Sequence, residues 1–349
     1  MKQRVRIADV AKLAGVSLGT VSAVINDRVG ESIRVSAQTQ ERVWEAVQEL
    51  QYVPNPAARS LAGGQNRMLG VFTYESIFPV EHRNFYYRFL VGIEHEAEQM
   101  GYDLVLFTSA GGTDGKRRIY RNDGNRLRLT DGAILLGLAE DKHELQRLVQ
   151  EDFPFVFVGR REIPEGKISC VIIDYTASTI EVIEHIVAHG HQQVVYLGSQ
   201  EKRYTEPSQD REKGYRLAHE QLNIPLNPDR MTFLRPGDLT ADLLQSFLTD
   251  GATAFLAEDD ALGLALLRAG QQLQKTPPHD FSMAVLGNPL TSSDADIPDW
   301  TTFLVPRREI GIEAVRLLIH KLTHPEEPGP HQKTVQCTFV PGHTVGPPP

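Results

Sequence analysis

The stretch Ile-Ala-Asp-Val-Ala-Lys-Leu-Ala-Gly-Val-Ser, residues 7–17, decides the fold of the amino-terminal region. Its apolar residues recur at helical spacing, which predicts a helix with one buried face. Gly15 ends this helix, because glycine adopts the left-handed conformation of a C-cap without a steric penalty. Ser17 follows at the N-cap of a second helix, where its hydroxyl can accept hydrogen bonds from backbone N–H groups. Two helices joined by a short turn containing glycine predict a helix-turn-helix, whose second helix enters the DNA major groove.

A third helix and a hinge follow this motif. Ser36 is the predicted N-cap of a helix that continues to about residue 50. Pro54 and Pro56 interrupt any helix after that point. A short helix over residues 57–61 is expected before Gly63 and Gly64. These elements are expected to form a small helical head that is followed by the hinge.

Residues 7–62 resemble the DNA-binding region and hinge of the lactose-repressor (LacI/GalR) family of bacterial transcription regulators. They follow that family's pattern "DVA..AGVS..TVS..(V/I)N" and, farther on, "VS..T...V..A...L.Y.PN..AR.LA". Similar family motifs recur in the body at "DGAILL" (131–136), "EHI" and "GHQQV" (184–194), "REKGY" (211–215) and "TTF…EIG" (301–311). The resemblance covers nearly the whole chain. It implies a transcriptional regulator, expected to be a repressor, whose operator affinity is modulated by a small molecule such as a sugar or sugar derivative.

The resemblance also implies which residues contact double-stranded operator DNA. In the family, the first, second and sixth residues of the recognition helix contact base edges, and here these are Leu18, Gly19 and Ala23. Leu18 and Ala23 lack hydrogen-bonding side chains but can contact thymine methyl groups; alternatively, Leu18 packs in the core of the head. Leu61 is at the position that the family inserts between base pairs in the minor groove, although it can also pack hinge against hinge in a dimer. The full predicted DNA-binding set is Ser17, Leu18, Gly19, Thr20, Ser22, Ala23, Asn26, Arg28, Arg34, Asn55, Ala58 and Leu61.

From residue 68 onward, strand and helix patterns alternate, which predicts parallel sheets flanked by helices. The predicted strands cover residues 69–73, 103–108, 133–136, 155–158, 170–173, 194–197, 232–234, 254–256, 283–286, 302–305 and 335–340. The predicted helices cover residues 85–100, 176–189, 210–222, 240–250, 262–272 and 309–322. The expected fold is an N-terminal all-α helix-turn-helix head plus an α/β body of two doubly wound parallel-sheet lobes, like that of periplasmic binding proteins.

The predicted domains follow from this organisation. Residues 1–52 form the DNA-binding head, residues 53–66 the hinge, and residues 67–349 the effector-binding and dimerisation domain. Within the last, lobe 1 is expected to span about 67–161 and 291–322, and lobe 2 about 162–290 and 323–345. A small molecule is expected between the lobes. The effector-binding residues implied by the resemblance are Phe85, Tyr86, Arg211, Asp259, Asn288 and Arg307. Arg211 can instead form a salt bridge on a helix surface.

Charge and composition restrict the partners and the compartment. Residues 1–64 hold eight Lys or Arg and six Asp or Glu, so they carry +2 and the remainder −11 of the total −9. Because this basic excess is small, tight DNA binding requires two heads, and a homodimer is expected. The sequence has only two cysteines, and it shows neither an apolar run of membrane-spanning length nor a secretory leader. We therefore expect a cytoplasmic protein without a membrane partner.

No catalytic residues, cofactor or metal are predicted. His185, His189 and His191 form an HxxxHxH pattern in which His185 and His189 share a helix face, but no acidic or thiol ligand follows them at metal spacing. The sequence contains neither a nucleophile elbow nor a phosphate-binding loop. A sugar-acting enzyme and a periplasmic-type solute-binding protein are therefore the weaker alternatives. The sequence leaves open whether the effector loosens or tightens DNA binding.

Overall fold

The computed structural model describes residues 5–25, 34–52, 66–75, 85–109, 117–137, 141–164, 166–287 and 298–349. The chain divides into two compact units. The first comprises residues 1–68 with 129–131, and the second comprises residues 69–128 with 132–349. The predicted hinge, residues 53–66, lies outside the described residues except for Asn66.

The first unit contains the three predicted helices of the head, α1 (Ile7–Ala14), α2 (Leu18–Ile25) and α3 (Ala37–Glu49). Their facing sides bury a small apolar core that comprises Val10, Ala11, Ala14, Val21, Val24, Val43 and Ala46. Gly15 has φ +66° at the C-cap of α1, as the sequence predicts. Ser36 caps α3 by accepting a hydrogen bond from the backbone N–H of Thr39 at 3.3 Å. The axes of α1 and α2 differ by 104°, which is typical of a helix-turn-helix.

Lobe 1 of the second unit is built on a six-stranded sheet. Its strands are β1 (Met68–Thr73), β2 (Asp103–Phe107), β5 (Gly132–Leu136), β6 (Phe155–Val158), β9 (Cys170–Ile173) and β15 (Gln332–Val335), in the spatial order β15-β9-β6-β5-β1-β2. Helices α4 (Tyr87–Gln99) and α10 (Arg307–Thr323) cover one face, and α5 (Lys142–Gln150) covers the other. Two small hairpins, β3 (Tyr120–Arg121) with β4 (Gly124–Asn125) and β7 (Glu162–Ile163) with β8 (Gly166–Lys167), border this sheet.

Lobe 2 is built on the second six-stranded sheet. Its strands are β10 (Val194–Ser199), β11 (Met231–Leu234), β12 (Ala254–Ala257), β13 (Ser282–Val285), β14 (Thr301–Leu304) and β16 (Thr338–Val340), in the order β11-β10-β12-β13-β14-β16. All pairs are parallel except β14 with β16. Helices α6 (Tyr175–Ala188) and α7 (Glu206–Gln221) cover one face, and α8 (Ala241–Thr249) and α9 (Asp260–Gln272) cover the other.

The chain crosses between the lobes at points that differ from the predicted boundaries. Strand β9 pairs with β6 and therefore belongs to lobe 1, although residues 162–290 are expected in lobe 2. Strand β14 pairs with β13 in lobe 2, although residues 291–322 are expected in lobe 1. The expected single strand at residues 335–340 is wrong, because β15 pairs with β9 in lobe 1 and β16 pairs with β14 in lobe 2. The boundaries differ because pairing partners far apart in sequence decide sheet membership.

Candidate functional site

The start of the recognition helix α2 is exposed. The Ser17 hydroxyl accepts a hydrogen bond from the backbone N–H of Thr20 at 3.1 Å, and the two side-chain hydroxyls lie 2.9 Å apart. Ser17 therefore caps α2, as the sequence predicts. Leu18 is 52% exposed and Gly19 is exposed beside it. The alternative that Leu18 packs in the core of the head is wrong.

The other predicted DNA-binding residues are distributed unevenly over the head. Thr20 and Ser22 are half-buried, Arg34 is exposed, and Ala23 is only 6% exposed. Because Ala23 faces the interior of the head, the structure does not support its predicted contact with a thymine methyl. The remaining predicted positions, Asn26, Arg28, Asn55, Ala58 and Leu61, lie outside the described residues.

A cleft lies at the carboxyl ends of the lobe 1 strands β5, β6 and β9, the usual position of ligand sites in open α/β sheets. Its cavity volume is about 50 Å³, and both lobes contribute to its wall. Phe85, Tyr86 and Tyr175 contribute aromatic surface, while Glu206 and Asp210 on α7 contribute carboxylates. Among the described residues, this cleft is the site that joins aromatic and charged groups from both lobes.

Two of the predicted effector-binding residues lie in the wall of this cleft. Phe85 is 37% exposed, and its ring meets that of Tyr86 edge to face at 4.9 Å. Tyr86 is buried, and its hydroxyl donates a hydrogen bond to Glu75 at 2.6 Å. Burial, together with the Glu75 carboxylate, raises the pKa of Tyr86 far above its usual value. Phe85 therefore offers the free aromatic face, whereas the Tyr86 hydroxyl already has a partner.

The two predicted arginines lie behind aromatic residues of the cleft. The Arg211 guanidinium lies 4.4 Å from the centre of the Tyr175 ring, and that of Arg307 lies 4.7 Å from the centre of the Phe85 ring. Arg211 pairs with the buried carboxylate of Glu258 at 3.8 Å. Arg307 has no carboxylate within ion-pair distance among the described residues, and burial lowers its pKa.

Asp259 is not the acidic partner of Arg211. Its carboxylate accepts a hydrogen bond from the backbone N–H of Leu262 at 3.0 Å and so caps α9. It also pairs with Lys202 at 2.8 Å. The neighbouring Glu258 is the acidic partner of Arg211, and its second oxygen accepts from the backbone N–H of Ser199 at 2.7 Å. Asn288 lies outside the described residues.

Ion pairs between the lobes, which are not among the residues predicted from the sequence, close one side of the cleft. Arg160 of lobe 1 pairs with Asp210 of α7 at 2.7 Å. The buried Arg161 of lobe 1 pairs with Glu206 of α7, donates to the backbone carbonyl of Gly137 and lies 4.3 Å from the centre of the Phe157 ring. The available signal was an arginine pair directly after a buried strand, at the end of the sheet where ligands bind.

The histidines considered for a metal have structural contacts. His191 is fully buried, with Nδ1 2.8 Å from the Thr253 hydroxyl and Nε2 2.8 Å from the Gly346 carbonyl oxygen. His189 Nδ1 lies 2.8 Å from the backbone oxygen of His185. Hydrogen bonds therefore hold the rings of His189 and His191 in place. Burial lowers the pKa of His191 below its usual value.

No single helix among the described segments is long and apolar enough to cross a membrane. The pair formed by Ile7–Ala14 and Leu18–Ile25 meets that test only when the two helices are taken together, across their 104° bend.

Comparisons with known proteins match both parts of the chain. A family profile described as "Bacterial regulatory proteins, lacI family" matches residues 6–55, and one described as "Periplasmic binding protein-like domain" matches residues 183–345. The HTH-type transcriptional regulator CelR of Thermobifida fusca is 30% identical over 329 residues, which cover 92% of this chain and 93% of CelR.

Solved structures match the chain over the residues of both the head and the lobes. A transcriptional regulator CelR–cellobiose complex superposes with a TM-score of 0.64 at 25% identity, covering 98% of this chain and 100% of that one. The lac repressor dimer bound to operator and the anti-inducer ONPF superposes with a TM-score of 0.68 at 24% identity, covering 99% and 100%. The predicted fold class is confirmed.

Proposed function

This chain belongs to the lacI family of bacterial regulatory proteins and is a DNA-binding transcriptional regulator; we propose that it acts as a homodimer on a pseudo-palindromic operator. We further propose that a small molecule bound between the lobes sets its operator affinity, that it works in the cytoplasm as a repressor, and that it is not an enzyme. The observation that carries the proposal of a small-molecule effector is the cleft between the two lobes. Residues of both lobes form its wall, and ion pairs connect the lobes beside it.

The proposed DNA contact begins at the exposed end of α2. Leu18 and Gly19 project no hydrogen-bonding group, so apolar contact with thymine methyl groups and close backbone approach are the interactions open to them. Ser17, Thr20 and Ser22 supply hydroxyls that can contact phosphate oxygens. Arg34, with Asn26 and Arg28, supplies further polar contacts. Each head alone carries little positive charge, which supports two heads acting together.

The hinge is proposed to enter the minor groove between the two half-sites. Leu61 is the apolar wedge, with Asn55 and Ala58 beside the DNA backbone. A wedge of this kind unstacks one base step, and the bend that results allows additional contacts. This part of the proposal rests on the sequence motif at residues 52–62.

The proposed effector is a sugar or sugar derivative. CelR, a relative, is described in complex with cellobiose. Phe85, which is 37% exposed in the cleft wall, suits stacking against a sugar ring. The Arg307 guanidinium lies 4.7 Å from the centre of that ring, so its proposed role is to hold the ring through this cation–π contact. An added Cβ at Gly287 would lie 3.1 Å from Arg211 Nη2. Asn288 is proposed as an effector-binding residue from the sequence pattern alone. We assign Asp259 only an indirect role, through the start of α9.

The ion pairs between the lobes supply a way for the ligand to act. A ligand that contacts lobe 1 and α7 together favours one angle between the lobes over another, and the populations shift by the difference in its affinity for the two states. Arg160 and Arg161 lie in the cleft wall and hold α7 to lobe 1. The ligand is therefore expected to strengthen or replace these pairs.

Operator-affinity measurements on variants in which an exposed leucine is replaced by alanine test the DNA-binding role of α2. An operator is first selected from random duplex DNA, and its affinity is measured by fluorescence anisotropy for the unmodified protein and for Leu18→Ala. Because Leu18 is 52% exposed at the start of α2, we expect a loss of about 5- to 100-fold in operator affinity. Leu106→Ala, at a leucine of β2 that is 42% exposed, is the matched control and should change affinity less than twofold. Equal affinities for both variants would contradict the assignment.

A further inference from the structure

The structure brings together three metal-ligating side chains outside the cleft and outside the head. His320 is in the last turn of α10, Glu327 is in the loop that follows, and His331 directly precedes β15. One nitrogen or oxygen atom from each lies within 4.8 Å of the other two. His320 Nε2 and Glu327 Oε2 are 2.8 Å apart, and the rings of His320 and His331 are 5.3 Å apart between their centres.

We propose that His320, Glu327 and His331 bind one divalent transition-metal ion, of which Zn²⁺ is the representative. Two imidazole nitrogens and one carboxylate oxygen form a ligand set typical of Zn²⁺, with water in the fourth position. Ligand atoms around a tetrahedral Zn²⁺ are about 3.3 Å apart, since each bond is about 2.0–2.1 Å long. The 2.8 Å between His320 Nε2 and Glu327 Oε2 is a hydrogen-bond distance, and all three ligand atoms lie within 4.8 Å of one another. Binding of the ion would release the proton between His320 and Glu327 and bring the three atoms to about 3.3 Å from one another.

The backbone around these ligands is held in place before any ion binds. The backbone N–H of His331 donates to the Ser169 hydroxyl at 3.2 Å, and its carbonyl accepts from the N–H of Cys170 at 3.1 Å. His320 is fixed by the helix. The connecting segment His-Pro-Glu-Glu-Pro-Gly-Pro-His, residues 324–331, contains three prolines, which reduce its freedom. Less entropy is therefore lost when the three ligands converge.

Gly329 packs against the ring of His331, and its lack of a side chain leaves room for that ring. A Cβ at this position would lie 3.1 Å from His331 Nε2 and 3.2 Å from Cε1 of the same ring. With a larger residue at this position, the imidazole would have to shift by a few tenths of an ångström. The glycine therefore allows the close packing that keeps the His331 nitrogen near His320 and Glu327.

His324 lies beside the site but is assigned no ligand role. Its ring stacks on that of His320 at 4.5 Å with an interplanar angle of 27°. Its Nδ1 is 2.9 Å from the Thr323 hydroxyl and 3.2 Å from the His320 carbonyl. These local contacts hold His324 parallel to His320, so it makes a matched control for the test.

The ion would connect two elements of lobe 1. It would join the end of α10 to the start of β15, the edge strand from which the chain crosses into lobe 2. An ion that binds only the folded state raises the thermal unfolding midpoint as its concentration rises above Kd. Zn²⁺ should therefore stabilise the protein as well as bind to it.

Isothermal titration calorimetry with ZnCl₂ on the tag-free, chelator-treated full chain tests the site. We expect one high-affinity ion per protomer and a rise of a few degrees in the unfolding midpoint. His320→Gln and His331→Gln should each weaken this binding at least tenfold, and Gly329→Ala should weaken it through the displaced ring, whereas His324→Gln should change it less than threefold. Circular dichroism without Zn²⁺ checks that each variant is folded.

Two outcomes would overturn this proposal. One is the absence of Zn²⁺ binding to the unmodified chain at submillimolar concentrations. The other is binding that His320→Gln and His331→Gln leave unchanged, which would place the ion elsewhere, for example at His185 and His189, whose rings are 4.5 Å apart.

Discussion

Single charged residues determine how the two lobes are joined at the cleft. Arg160 and Arg161 extend from lobe 1 to Asp210 and Glu206 of α7. Such pairs offset much of their own desolvation cost, so they add little to stability as a whole, but removing one partner leaves a buried charge without compensation. The side chains of Arg161 and Glu206 are 3% and 18% exposed, so this pair is the more sensitive of the two.

We predict strong coupling between Arg161 and Glu206. Arg161→Met should destabilise the folded chain by about 3–5 kcal/mol, since it removes the buried guanidinium that pairs with the Glu206 carboxylate. The double variant with Glu206→Gln should be more stable than the sum of the single effects predicts, with a coupling of about 1–3 kcal/mol. Denaturant unfolding of all four proteins gives this value.

An exposed pair on the same helix is the control for this cycle. Arg216 and Glu212 are 2.9 Å apart on α7, with the arginine side chain 48% exposed. Their coupling should be only about 0.3–0.5 kcal/mol, as for other pairs four residues apart on a helix. A coupling for Arg161 and Glu206 as small as this would show that the pair does not hold the lobes together.

Buried histidines make the stability of the body depend on pH. Burial lowers the pKa of His191 and of His219 below the usual value of about 6.5. Their stabilising effect is therefore fully present above about pH 6.5 and is lost as the pH falls towards their folded-state pKa values. The unfolding midpoint should be lower at pH 5.5 than at pH 7.5, and His191→Asn should reduce this difference. His95→Gln, at an exposed histidine of α4, should retain the full difference; the same full difference in His191→Asn would contradict the prediction.

At the scale of elements, the crossing of α4 and α10 places two residues of the effector region together. A Cβ at Gly311 would lie 2.4 Å from the carbonyl oxygen of Phe89, and one at Gly92 would lie 2.0 Å from that of Arg308. The two backbones therefore approach as closely as glycine alone permits. Phe85 lies just before α4 and Arg307 begins α10, so this crossing fixes the contact between their side chains.

We predict that Gly311→Ala separates these helices. The added methyl group should lower the free energy of unfolding by about 1–3 kcal/mol, because the neighbouring backbone must move. Gly237→Ala is the control, since a Cβ there has no neighbour within 4 Å. Denaturant unfolding measures both variants, and equal stabilities would contradict the close packing of α4 on α10.

Most elements can be predicted from the sequence because their signals are local. The caps at Gly15 and Ser36 and the apolar faces of the head helices follow from residues within one or two turns. Helix α5 was missed, although Leu145 and Leu148 are spaced as on a helix face. The crossover points and the pairing of Arg160 with Asp210 could not be predicted, because they depend on chain segments far apart in sequence.

The candidate site was only partly predictable for the same reason. The motif around Arg211 identifies a candidate effector-binding arginine, but its pairing with Glu258 depends on β12, which lies far from it in sequence. For Ala23, the sequence motif predicts a contact that the packing of the head does not support. Position within the motif implies DNA contact, whereas packing of the three head helices buries the side chain.

At the scale of the whole molecule, the head region and the remainder of the chain carry net charges of opposite sign. The head region, residues 1–64, carries +2, whereas the remainder of the chain carries −11. The body therefore contributes no general attraction to DNA, and in the proposed homodimer specific binding would depend on two heads presented together. Any change in the lobes that alters this presentation should change operator affinity more than nonspecific affinity.

Operator binding by a variant that lacks both inter-lobe arginines tests this account most directly. Anisotropy titrations compare the unmodified protein, Arg160→Gln alone and Arg160→Gln/Arg161→Gln on a selected operator and on random DNA, below the unfolding temperature of each. We expect the double variant to change operator affinity at least fivefold and nonspecific affinity less than twofold, because the head is untouched. Arg216→Gln/Glu212→Gln, in the exposed pair of α7, should change neither. Unchanged operator affinity in a folded double variant would contradict the proposal that the angle between the lobes controls DNA binding.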